Sequence, residues 1–150
     1  MNGRILAIDF GTVRLGLAVS DALGLTAQGL ATIERTNKAA DLRRIEQAVT
    51  EYSPVRVLIG HPISHSGAET EMSRRAVRFA GELRSVLDLP VEMWDERLTS
   101  READRFLTES GLRRTQRRES RDRVAAQILL QSYLDRLAYE RERTGAQAEP

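Results

Sequence analysis

Two hydrophobic rhythms run along the chain. Ile5-Leu6-Ala7-Ile8 is apolar at every position, as a central strand covered on both faces requires, and Asp9-Phe10-Gly11-Thr12 ends it. Leu15 to Ser20 reads as the returning strand of a hairpin, and the segment around Gln28 to Ile33 as a third strand. Thr36 or Asn37 is placed to cap a helix running to about Tyr52, with Leu42, Ile45, Ala48 and Val49 at helical spacing. Pro54 then precedes a buried strand, Val55 to Ile59, which Gly60-His61-Pro62 stops. Met72, Ala76, Phe79, Ala80, Leu83 and Leu87 form the stripe of a second helix, and Val91 to Trp94 a fifth strand.

Past Asp95-Glu96-Arg97-Leu98, Thr99-Ser100-Arg101-Glu102 has the form of a capping box, so a helix is expected from there to Gly111. Leu112 to Arg118 is rich in Arg and lacks an apolar period, which predicts a mobile loop. Ser120 then caps a last helix whose stripe, Ala125, Ile128, Leu129, Leu134 and Leu137, runs to about Ala138. The order describes an α/β fold, a five-stranded mixed sheet flanked by helices. At 150 residues it reads as one domain over 1–140, with a flexible tail over 141–150.

Composition narrows the chemistry. No apolar run approaches the roughly 20 residues of a membrane span, and the start of the chain lacks the pattern of a signal peptide. The absence of cysteine excludes disulfides and thiolate metal sites, so the expected location is the cytoplasm. With 2 histidines, any metal rests on oxygen donors, which favours Mg²⁺ or Mn²⁺ over zinc. The net charge of +1 hides an asymmetry, because the stretch from Arg97 to Arg123 carries nine Arg against five acids. Arg forks match phosphate oxygens, so this stretch is a candidate nucleic-acid footprint; the alternative is a solvated surface paired within its own helices.

Three places hold acids that a fold does not use casually. Asp9 shares the inward alternation of Ile5 and Ala7, where a carboxylate must be paired, protonated or bound to metal. Asp95 and Glu96 follow the fifth strand, at the edge where open α/β sheets gather ligands. Asp122 has Ala125, Ala126 and Leu129 at i+3, i+4 and i+7, which puts it along a buried helix face. With the first and fifth strands as neighbours and the last helix crossing their ends, these carboxylates converge into a two-cation phosphodiester clamp. Singly, each is also readable as a turn cap, an ion-pair partner of Arg97 or Arg101, or a helix-dipole acid.

The run from Asp9 to Asp21, Asp9-Phe10-Gly11-Thr12-Val13-Arg14-Leu15-Gly16-Leu17-Ala18-Val19-Ser20-Asp21, resembles the bacterial YqgF/RuvX family of Holliday junction resolvase-like proteins and pre-16S ribosomal RNA nucleases. Three further segments fit in order: Val57 to Pro62, Asp95 to Ser100, and Asp122 to Ala126. The resemblance implies an RNase H-like fold and phosphodiester hydrolysis with Mg²⁺ or Mn²⁺. It implies Asp9, Glu96 and Asp122 as the acidic set, with Asp95 as the alternative to Glu96. On this reading Asp9 bridges two ions while Glu96 and Asp122 each hold one. Arg14 and Arg97 neutralise the scissile phosphate, and Arg113, Arg114, Arg117, Arg118 and Arg121 grip flanking backbone. His61 replaces the family's usual Leu and is either a general acid, a substrate contact or a satisfied loop histidine. The implied partners are structured RNA and branched DNA, and a junction resolvase implies a two-fold homodimer.

Two other readings compete. Asp-x-Gly-Thr with a following glycine also resembles the first phosphate loop of actin-like ATPases and sugar kinases, although 150 residues leave no room for their second half. A non-catalytic RNA-binding ribosome-assembly factor would use the Arg surface alone.

Overall fold

The centre of the sheet is the strand with the most continuous apolar run. A computed structural model describes residues 3–62, 66–95 and 114–148, with the side chains of 123–145 in the last helix. Its elements are β1 (Ile5–Phe10), β2 (Arg14–Ser20), β3 (Ala27–Glu34), α1 (Lys38–Tyr52), β4 (Arg56–His61), α2 (Glu71–Val86), β5 (Val91–Asp95) and α3 (Arg114–Ala148). The helix expected from Thr99 to Gly111 falls outside the described residues.

The strands order as β3-β2-β1-β4-β5. β1 runs antiparallel to β2 and parallel to β4, and β5 is parallel to β4. The first and fifth strands, expected to be neighbours, are instead separated by β4. That separates their ends by two strand spacings, about 10 Å. β4 also continues through His61, which pairs with Asp95, where Gly60-His61-Pro62 was expected to stop it. Pairing with β5 on the far side supplies the ladder that local propensity did not.

Strand alternation divides the core in two. Leu6, Ile8 and Phe10 of β1 pack with Ile59 of β4, Ile45 of α1 and Phe79 and Leu83 of α2. Ile5 and Ala7 point the other way, with Ala18 and Leu58, onto Ala126, Leu129, Leu130, Tyr133 and Leu134 of α3. One layer of helix thus covers each face, which is why β1 needs apolar residues at consecutive positions. Among the described residues no helix is long and apolar enough to cross a membrane.

α3 is longer than its stripe predicts at both ends. It begins at Arg114, inside the segment expected to be a loop, and ends at Ala148, past the expected stop near Ala138. An apolar period marks only the part of a helix that packs. Beyond it, strong helix formers such as Arg, Gln and Glu carry the backbone on, aided here by the Arg136–Glu140 pair at 3.1 Å. Polar side chains seat α3 on β3 and the turn before it: Arg123 donates to the Leu30 carbonyl, Gln127 to that of Ala27 and Gln131 to that of Leu25 in the turn. The Ala27 amide donates back to Gln131.

Candidate active site at the carboxyl edge of the sheet

Asp9 is the fifth residue of β1, level with Gly16 of β2 and only partly buried. It alternates with Phe10, so it lies on the face that α3 covers, in line with Ile5 and Ala7. The turn that follows is tight. A Cβ on Gly11 would stand 2.5 Å from the Arg14 carbonyl oxygen, so the position admits only glycine without a backbone shift. Arg14 opens β2 opposite Glu34.

The turn is also braced from outside. Arg35 donates through Nη1 to the Gly11 carbonyl at 2.9 Å, and its amide donates to the Val13 carbonyl at 2.9 Å. Its Nε pairs with the buried Asp41 at 3.1 Å, while its guanidinium lies 4.9 Å above the Phe10 ring and 5.8 Å from that of Phe79. Asp41 in turn accepts from the Thr36 amide, so this carboxylate, which the sequence reading passed over, anchors the whole brace.

The other acids occupy the same edge unequally. Ile8, Ile59 and Met93 are opposite one another across β1, β4 and β5 and share the α1/α2 face. Two residues on, alternation puts Phe10, His61 and Asp95 on that same face, opposite to Asp9. Glu96, Arg97 and Arg113 lie outside the described residues. Asp122 sits in α3 at four residues before Ala126 and seven before Leu129, both of which pack on the sheet. Its neighbour Arg123 bonds Leu30, which is level with Leu17 and through it with Ile8. This part of α3 therefore crosses the sheet where β1 ends. Arg114, Arg117, Arg118 and Arg121 fall at i, i+3, i+4 and i+7 of the same helix, and so on one side of it. Among the described residues no three acidic or histidine side chains are grouped as a metal site. Glu96 and the side chain of Asp122 are not among them.

His61 closes β4 with its Nε2 buried and without a hydrogen-bond partner among the described residues. The largely apolar cavity of about 440 Å³ lined by Gly3, Ile5, Leu23 and Leu134 lies at the start of β1, the end away from Asp9.

This architecture matches solved structures of known fold. Thermus thermophilus RuvC in complex with a Holliday junction substrate superposes with a TM-score of 0.56 at 15% identity, covering 89% of this chain and 95% of that one. Fowlpox virus resolvase with Holliday junction DNA gives 0.57 at 14% identity over 89% and 98%. The fold is RNase H-like, the class to which these resolvases belong. Within it, residues 3–136 match the family model RuvX, described as Holliday junction resolvase, and the chain belongs to that family. Relatives named "Putative pre-16S rRNA nuclease" include one from Koribacter versatilis, 46% identical over 95% of this chain and 93% of its own. Another, from Syntrophus aciditrophicus, is 42% identical over 92% of each.

Proposed function

We propose that this chain is a divalent-metal-dependent nuclease whose acidic set is Asp9, Glu96 and Asp122. Its substrate on this reading is structured nucleic acid, the 5′ end of pre-16S ribosomal RNA or branched DNA. The observation that carries the reading is the position of Asp9. It ends the central strand on the α3 face, at the level where α3 carries Asp122, in a chain of a nuclease family. Asp95 stands on the face opposite to Asp9, which counts against it as the partner carboxylate and leaves Glu96 as the residue this reading assigns.

A carboxylate set of this kind fits Mg²⁺ or Mn²⁺, which take hard oxygen donors. Such an ion, when bound, makes water a nucleophile at neutral pH and offsets charge on the phosphodiester oxygens. The protein's own part is positional. Gly11 lets the chain turn directly after the strand, the Arg35 brace fixes that turn, and Arg14 supplies positive charge just beyond it. The helical Arg114, Arg117, Arg118 and Arg121 hold flanking backbone on one side of α3, contacts that position a substrate without reading its sequence. Shape then provides selectivity.

Cleavage of a branched DNA and of a ribosomal RNA precursor by wild type and Asp9→Asn, in Mn²⁺ and in EDTA, tests the assignment. Both the substitution and the chelator are expected to reduce cleavage to background. Asp9→Asn protein that cleaves as fast as wild type overturns it.

A further inference from the structure

On the face of the sheet away from Asp9, a second basic feature opens beside the same edge. A cavity of about 260 Å³ is lined by Arg35, Lys38, Arg75 and Arg78 over the rings of Phe10 and Phe79, with Glu82 as the one acid among the described residues that line it. These cations come from three separate places: the residue after β3, the first residue of α1, and α2. No local run of sequence marks them.

The four cations are not equally committed. Arg35 is held rigid by Asp41, the Gly11 carbonyl and the two rings, and its Nη2 makes no hydrogen bond among the described residues. Lys38 reaches the half-buried Glu82 at 3.2 Å and Arg75 reaches the exposed Glu71 at 3.0 Å, both cations being themselves exposed. Pairs of that type contribute little and yield readily to a stronger anion. Arg78 has no ion pair among the described residues. A fixed guanidinium, two loosely paired cations and one without a carboxylate, in a concave site, suit a phosphodiester oxygen. The rings are buried beneath Arg35, at 7% exposure for Phe10 and 3% for Phe79, so they support the cation and offer no surface for base stacking.

We propose that this pocket is a second phosphate-binding site. It takes a backbone phosphate of the substrate strand a short way from the cleaved bond, on the opposite side of the sheet edge. Phe10 follows Asp9 directly, so a strand bent over the carboxyl edge meets Asp9 on one face and this pocket on the other. The proposal rests on the nuclease reading for the identity of the substrate. It adds that the substrate is gripped across the edge, on both faces of the sheet.

The test is the salt dependence of binding, measured with full-length Arg78→Gln and Lys38→Gln on a fixed branched DNA and a fixed precursor RNA, in Ca²⁺. Arg43→Gln, an exposed arginine outside the pocket, is the control. Each pocket variant is expected to lower the slope of log K against log salt by about one. At 0.15 M salt that corresponds to roughly fivefold weaker binding, from a slope of about 0.9 per phosphate. Arg43→Gln should leave both unchanged. Unaltered slopes in both pocket variants, or an equal loss in Arg43→Gln, overturn the proposal. Thermal unfolding of each variant identifies one that fails to fold, and the other then decides. Failure of the nuclease reading looks different: wild type binds with a slope that the pocket variants lower, but cleaves neither substrate in Mn²⁺.

Discussion

Two residues outside the acidic set make the sharpest demands on their positions. Gly11 has no room for a Cβ, because the Arg14 carbonyl stands 2.5 Å from where it would be. Gly11→Ala must shift the turn that follows Asp9, and a displacement of about 1 Å at a reacting centre costs on the order of 10²-fold in rate. Steady-state cleavage should show that loss while thermal unfolding stays cooperative. Tyr133 makes a different demand. Its hydroxyl donates to Glu92 at 2.8 Å and accepts from Arg56, tying α3 to β4 and β5. Burial, and then the bond to Glu92, raises the phenol above its usual value. A raised folded value means that the contribution is complete below the ordinary phenol value of about 10 and is lost as pH rises through the folded one. Melting temperature should therefore fall on the alkaline side in wild type and fall less steeply in Tyr133→Phe. The place of Asp9, near the end of β1 on the face of Ile5 and Ala7, was legible in the sequence from strand alternation. The brace of Arg35 and Asp41 was not, since its meaning depends on Phe10 and Phe79, 25 and 44 residues from Arg35.

Among the elements, packing periodicity identified those that bury a stripe and misjudged those that do not. α2 spans Glu71–Val86 as its apolar positions foretold, and its first turn is closed by a reciprocal cap between Thr70 and Ser73. Thr70→Ala should cost about 1 kcal/mol of folding free energy, readable from denaturant unfolding, because the Ser73 amide loses its acceptor. Asn37 serves α1 in the same way, accepting from the Ala40 amide. The first turns of α3 gave no such signal. The arginine-rich run from Arg114 lacks an apolar period, the mark of a packed helix in sequence, yet it is helical. β4 likewise outran its local stop at Gly60, since its length is set by two partner strands and not by its own residues.

At the scale of the molecule, the sheet with one helical layer on each face followed from the chain's order of strands and helices, whereas strand order did not. Placing β4 between β1 and β5 is a matter of tertiary pairing, and it moves the second acidic segment about 10 Å from Asp9 by strand spacing. The far end of α3 makes a separate prediction. Residues 141–145 are exposed, so a chain ending at Glu140 should lose less than about 1 kcal/mol and keep full cleavage activity. Substantial unfolding of that truncated chain would show that the cavity between α3 and the β2–β3 turn is part of the core.

The polar seating of α3 has one more consequence. β3 and β5 are the outer strands of the sheet among the described residues, and an outer strand offers unpaired amides and carbonyls to any other chain that comes alongside. On β3 the groups of Ala27 and the Leu30 carbonyl are already occupied by Gln131, Gln127 and Arg123. On β5 the Val91 carbonyl is taken by both Nε and Nη2 of Arg84. The same side chains that dock the helices therefore guard the sheet against edge-to-edge association. Edge groups occupied in this way are withdrawn from pairing with another chain.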